Sequence, residues 1–173
     1  MRGISESSRR VTAYHEDGHV VIGIRLGLRL GRKGVSIVPD GDSAGRAHLP
    51  FTFQNPEFDN SNRMRLYLER QTMCCFAGIE AVRQLNPRSI RHYHASGDYQ
   101  QAVDLLSRAI FAPDELSAYL KFCQLRTRNL VNSKLVWAQI TAVADALLEQ
   151  QHLSRAEVEN VVKATIQAMR LAR

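Results

Sequence analysis

Long apolar runs are missing from this 173-residue chain. No stretch approaches the ~20 consecutive apolar residues of a membrane-spanning helix, and the most apolar late segment, residues 135–144, stops at Asp145. Residues 1–10 are polar and charged and lack the hydrophobic core of a signal peptide. The expectation is a cytoplasmic protein with no membrane span. Cysteine is scarce: Cys74, Cys75 and Cys123 are an odd set, two of them adjacent, with no C-x-x-C spacing. That excludes a disulfide framework and thiolate metal knuckles, and makes buried thiols the expected state. Aromatic residues are 7% of the chain. None interleaves with the modest basic cluster of Arg25, Arg29, Arg32 and Lys33. The net charge of +6 is therefore read as solvated, with no nucleic-acid partner expected. Repeats and low-complexity segments are also absent.

What is present is a 45% hydrophobic fraction, enough for one sizeable core. We expect a short tail over residues 1–10 and a single domain over 11–173. Apolar spacing predicts a helix over about 9–30, ended by Gly31. Strand signals at 34–39 and 46–53, with a turn between, predict a β-ribbon that must lie on the helices. A polar loop over 54–62 leads to a second long helix at 63–85, with Met64, Leu68, Met73, Phe76, Ala77 and Val82 as its inner stripe. An irregular loop at 89–97 precedes a helix at 98–111. Three further helices follow at about 114–131, 133–150 and 155–171, the last with a capping box at Ser154 and Glu157. The fold class is mainly α: a compact helical domain with one small β-ribbon between the first and second long helices.

The chemistry begins at His15-Glu16-Asp17-Gly18-His19. On a helix, side chains four apart share a face, so His15 and His19 can hold one metal ion. Glu16 sits beside them as a general base for a water molecule. This H-E-x-x-H arrangement is that of zinc hydrolases. Gly18 lies next to that face; its missing side chain either admits another segment to the metal or marks a tight packing point. Asp17 points away from the metal and calls for a cationic or solvent partner.

A catalytic zinc takes three protein ligands and leaves one position open. The metzincin continuation needs glycine and histidine where this chain has Ile22 and Arg25, so that class is excluded. Glu69, Glu80, His48, His92, His94 and Asp98 all remain as third-ligand candidates on residue type. Asp98, expected at a helix start after Ser96-Gly97, also fits an ordinary capping acid.

The segment around the motif resembles the zinc helix of the FtsH family of ATP-dependent metalloproteases. The resemblance continues through Lys33-Gly34-Val35-Ser36-Ile37-Val38-Pro39 with Gly45, through Ala77-Gly78-Ile79-Glu80-Ala81, and through Ala95-Ser96-Gly97-Asp98-Tyr99-Gln100-Gln101-Ala102. It reaches the C-terminal helices with Leu153-Ser154-Arg155-Ala156-Glu157-Val158. It implies zinc as cofactor, Asp98 as the third ligand beside His15 and His19, and Glu16 as catalytic base. A polypeptide substrate would pair along the strand carrying Gly45, Arg46, Ala47 and His48. Such pairing reads backbone and predicts broad preference. His48, His92 or His94 is a candidate for stabilising the oxyanion.

The chain departs from the family pattern in several places. Asp17 stands where alanine is usual, Arg46-Ala47 where tyrosine and threonine are usual, and Val82 where an acid is usual. The family joins transmembrane segments and an ATPase module to this peptidase. Here residues 1–10 hold neither, and no G-x-x-x-x-G-K-[ST] phosphate loop occurs. The expected function is thus a zinc endopeptidase acting on unfolded or flexible polypeptides without its own ATPase. Two alternatives stand beside it: a weakly active or inactive peptidase-like binding domain, and a peptidase subunit served by a separate ATPase. Assembly into a homo-oligomer is left open.

Overall fold

The computed structural model describes residues 6–39, 44–48, 61–89 and 92–172, with side chains from 96 onward in the last stretch. Six helices dominate: α1 Glu6–Arg25, α2 Asn62–Leu85, α3 His92–Leu106, α4 Pro113–Val131, α5 Lys134–Gln150 and α6 Arg155–Leu171. A 3₁₀ turn covers Pro87–Ser89, and three two-residue strands are β1 Val35–Ser36, β2 Arg46–Ala47 and β3 His152–Leu153. The mainly α expectation holds.

The sheet is larger than a ribbon. Its order is β2-β1-β3, antiparallel throughout, with Val35 paired to both Ala47 and Leu153 and Ser36 to both Arg46 and His152. Nothing local marks residues 152–153 as a strand. They are set by the α5–α6 connection, where Gln151 adopts φ 64° and its carbonyl accepts from the Ile37 N–H at 3.0 Å. The turn at 40–43, the part of the second expected strand beyond residue 48 and the expected polar loop over 54–60 lie outside the described residues.

The first helix stops earlier than Gly31. The Gly27 N–H donates to Ile24 and the Leu28 N–H to Gly23, at 3.0 and 2.8 Å, around a Gly27 φ of 74°. That paired closure with a left-handed glycine ends a helix and turns Leu28 and Leu30 back into the core. Arg29, Arg32 and Lys33 therefore lie on a turn beyond the helix instead of at its C-terminal end. α2 begins as its sequence implies, with the Ser61 hydroxyl accepting from the Met64 N–H at 3.2 Å. Ser154 and Glu157 form the predicted capping box of α6.

The third helix corrects the expected loop. It starts at His92, so Gly97 lies inside it and Asp98 falls on its second turn. A mid-helix glycine costs only about 1 kcal/mol, and burial of Ala102, Leu105 and Leu106 outweighs that.

The helices enclose two apolar clusters. One joins α1, β1, α5, β3 and α6 around Tyr14, Val21, Ile22, Val35, Ile140, Leu147 and Leu153. The other joins α2, α3 and α4 around Leu68, Phe76, Leu105, Leu106 and Cys123. α2 packs against both, through Ala77 and Ala81 on one side and Met73 and Phe76 on the other. Burial pushes the Cys123 thiol up to about 12 and raises that of Cys75 as well, and all three cysteines are free and buried, as expected.

Candidate metal centre

His15 and His19 sit one turn apart on α1, and α2 passes directly beneath them. The approach depends on Gly78: a Cβ there would lie 2.5 Å from His19 Nε2 and 2.7 Å from His15 Cε1. Gly18 does different work. A Cβ there would meet the Ala77 carbonyl oxygen at 2.6 Å, so it is a helix-packing point away from the metal-binding atoms. Its sequence-level alternatives are thus resolved toward packing, and Gly78 is the residue that composition alone did not single out.

From the opposite side α3 delivers Asp98. Its Oδ2 lies 3.2 Å from His15 Nε2 and 3.3 Å from His19 Nε2, and the two nitrogens are 3.2 Å apart. Three donor atoms at the corners of a nearly equilateral triangle suit a small dication. With zinc–nitrogen bonds of about 2.0–2.1 Å, the edges of a tetrahedral site come to roughly 3.3–3.4 Å. Asp98 Oδ2 is buried yet makes no hydrogen bond of acceptable geometry, although both imidazoles are near. This is the only cluster of three or more His, Cys, Asp or Glu side chains with converging ligand atoms among the described residues.

A neighbouring group sets the ligand tautomer. His19 Nδ1 is 2.8 Å from the Cys74 carbonyl oxygen, which can only accept. Nδ1 therefore carries the hydrogen, and the Nε2 lone pair is directed to the junction. The electrostatics agree. Burial works against charge on Asp98, but the close approach of His15 and His19 outweighs it and holds the carboxyl below the usual range. For His19 burial favours the neutral ring, and the adjoining Asp98 carboxylate and Cys74 side chain more than reverse that. A carboxylate set between two imidazoles presents its negative field to a metal cation.

The other ligand candidates lie elsewhere. Glu80 is buried against Arg128 Nε at 2.9 Å, Gln124 Nε2 at 3.1 Å and Arg83 Nη1. Glu69 accepts from the Tyr119 hydroxyl at 3.1 Å and pairs with Arg126. His48 lies in the sheet region beside Lys33, Arg46 and His152. The side chains of His92 and His94 lie outside the described residues. Among the described residues Asp17 lacks the partner expected for it: it is fully buried with neither oxygen hydrogen-bonded to them, and burial together with the Glu16 charge raises its pKa well above the usual range.

Glu16 is half-buried on α1, and β2 enters beside it. A Cβ on Gly45 would lie 2.9 Å from Glu16 Cγ and 2.8 Å from Thr12 Cγ2, so the strand runs tight against the base. Two histidines and a glutamate on one helix, an aspartate from another and a strand passing the glutamate bring metal-binding and proton-accepting groups together at one place.

The family model described as peptidase family M41 matches residues 2–112, which include all four of these residues. The chain belongs to that family, and its resemblance to the FtsH peptidase domain is borne out. It is 29% identical to ATP-dependent zinc metalloprotease FtsH 3 of Phytoplasma mali, over 91% of this chain and 28% of that protein. It is 36% identical to an ATP-dependent zinc metalloprotease FtsH of Thermobaculum terrenum, over 45% of this chain and 11% of the relative. For the FtsH of Leuconostoc mesenteroides the identity is 33%, over 63% and 15%. The chain thus spans well under a third of the length of these relatives. No described helix is long and apolar enough to cross a membrane.

Proposed function

We propose that this domain is a zinc-dependent endopeptidase, with His15, His19 and Asp98 as metal ligands and Glu16 as general base. The observation that carries it is the triangle of Nε2, Nε2 and Oδ2 atoms with edges of 3.2–3.3 Å, one residue from Glu16 on α1. Zinc held there would acidify water and polarise a scissile carbonyl. The rest is done by the chain. Glu16 accepts a proton from the attacking water and passes it to the leaving amine. Asp98 balances the charge of the site, and the Cys74 carbonyl keeps His19 in one orientation. Gly45 and Ala47 align an extended peptide beside Glu16 by backbone pairing, which suits unfolded or flexible polypeptides. Hydrolysis of an already unfolded chain uses no nucleotide in this scheme. Folded substrates need a separate unfolding ATPase.

The test is hydrolysis of a casein-type unfolded substrate by the 173-residue chain without ATP, before and after chelation. Glu16→Gln is expected to retain zinc and lose about 10²–10⁴-fold in rate. Equal cleavage by that variant and the native protein would remove Glu16 from the mechanism. Zinc retention with no cleavage by the native protein would favour the binding-domain alternative.

A further inference from the structure

The metal junction is flanked on α1 by two different elements. Gly45, just before β2, lies against Thr12 and Glu16, which share one face of the helix. Asp98 of α3 lies against His15 and His19, on the next face round. β2 is the end strand of its sheet. A peptide that follows β2 and brings a carbonyl to the junction therefore lies in the angle between β2 and α3. Its backbone is read on the β2 side, and α3 forms the wall across from it.

That wall is unequal on the two sides of Asp98. Gly97 lies about 100° round α3 in one direction, and a Cβ there would meet nothing within 4 Å among the described residues. Tyr99 lies about 100° round in the other direction. Its side chain is 53% exposed, and its ring leans on that of Phe76 in α2, with centroids 6.2 Å apart and planes at 59°. Phe76 is buried in the cluster of α2, α3 and α4, so it backs Tyr99 with packed core. It also precedes Gly78, the glycine under both imidazoles, by two residues, which is about 3 Å along the helix axis. Single exposed aromatics are ordinary on protein surfaces. Tyr99 differs in adjoining a candidate metal ligand and in having its ring supported from the core while half of its surface stays in water.

We propose that Tyr99, backed by Phe76, is a specificity-determining residue whose ring takes an aromatic or large aliphatic substrate side chain beside the scissile bond. This rests on the peptidase reading and narrows its substrate class, since backbone pairing along β2 alone would accept any sequence. Seating such a side chain on the ring removes apolar surface of both partners from water, and an aromatic one adds a ring–ring contact. A small polar side chain gains neither.

The test uses two fluorescent peptides of one polar framework, with a single Phe or a single Ser at the centre, and the full zinc-loaded chain. The Phe peptide should show a kcat/KM about tenfold above the Ser peptide, with cleavage mapped next to the Phe by mass spectrometry. In Tyr99→Gln the ratio should fall toward unity while zinc content and cleavage of the Ser peptide stay as in the native protein. Tyr99→Phe should keep the ratio, because the ring face makes the contact and the hydroxyl does not. Tyr99→Ser is the second variant, with the same expectation, if circular dichroism shows Tyr99→Gln misfolded. Equal cleavage of the two peptides by native protein overturns the proposal, and so does a preference for Phe that survives in Tyr99→Gln. If native protein cleaves neither peptide, the peptidase reading fails, and binding read by fluorescence anisotropy decides the role of Tyr99. About tenfold tighter binding of the Phe peptide, lost in Tyr99→Gln, upholds it. Equal binding of the two peptides overturns it.

Discussion

Glu80 and Asp98 sit on neighbouring helices, and their surroundings are built in opposite ways. Glu80 has Arg128, Arg83 and Gln124 around it, so its charge is balanced by cations that never leave. Asp98 faces two imidazoles at 3.2 and 3.3 Å, whose charge depends on protonation. The first carboxylate is complete within the chain and joins α2 to α4. Among the described residues, the second is faced by groups that balance it through protons or a cation from outside. A permanent guanidinium beside Asp98 would occupy the place a metal needs, and among the described residues none stands there, which makes the junction a candidate for chemistry.

Asp98→Ala should break the contrast most. We expect zinc affinity to fall by more than about a hundredfold, with loss of the thermal stabilisation by added zinc, which reaches about 2.7 kcal/mol at a hundred times the dissociation constant. Elemental analysis and melting with and without zinc would show it, and unchanged metal content would remove Asp98 from the site. Glu80→Ala tests the other side. It strands two guanidiniums, but each side chain is about a third exposed, at 33% and 35%, so water absorbs part of the penalty. A loss of about 2 kcal/mol in urea unfolding is expected, with zinc stoichiometry retained.

Gly78→Ala sharpens the comparison by leaving every charge in place. Its Cβ would press on two imidazoles held by other contacts, which should cost about 1–2 kcal/mol and lower zinc affinity about tenfold. Unaltered zinc binding would show that the helices separate freely there. The smallest effect concerns Asp17, a carboxylate with neither arrangement. Its folded-state pKa is raised, so the native state loses stability as pH climbs from the usual aspartate value of ~3.9 through that raised value. Asp17→Ala should remove this decline and add about 1 kcal/mol at pH 7. Urea midpoints at acid and neutral pH would check it, and a variant less stable than native at pH 7 would contradict it. Asp98, with its lowered pKa, acts in the opposite sense and in the window below the usual aspartate value, so the two effects are separable.

Much of this was legible in residue order. Asn62–Leu85, Pro113–Val131, Lys134–Gln150 and Arg155–Leu171 follow apolar spacing, caps and proline to within a residue or two. The end of α1 was misplaced because Gly27 and Gly31 are equally good stops on paper, and only the burial of Leu28 and Leu30 favours the first. The start of α3 was hidden by Gly97, whose local penalty was overridden by packing further along. Glu80 was a ligand candidate by residue type, and its removal from the site required arginines up to 48 residues away to be placed around it.

The sequence by itself determined the pairing of His15 with His19 and the position of Glu16 beside them, because one helical turn relates them and no other part of the chain is needed. It also determined the helix ends that are capped by neighbouring residues. Only the tertiary structure decided which acid completes the triangle, which glycine lies beneath it, and that β3 joins the sheet. Those are encounters between segments tens of residues apart. They are governed by burial of apolar faces and by the charge that each buried carboxylate finds, neither of which has a period that can be read along the chain.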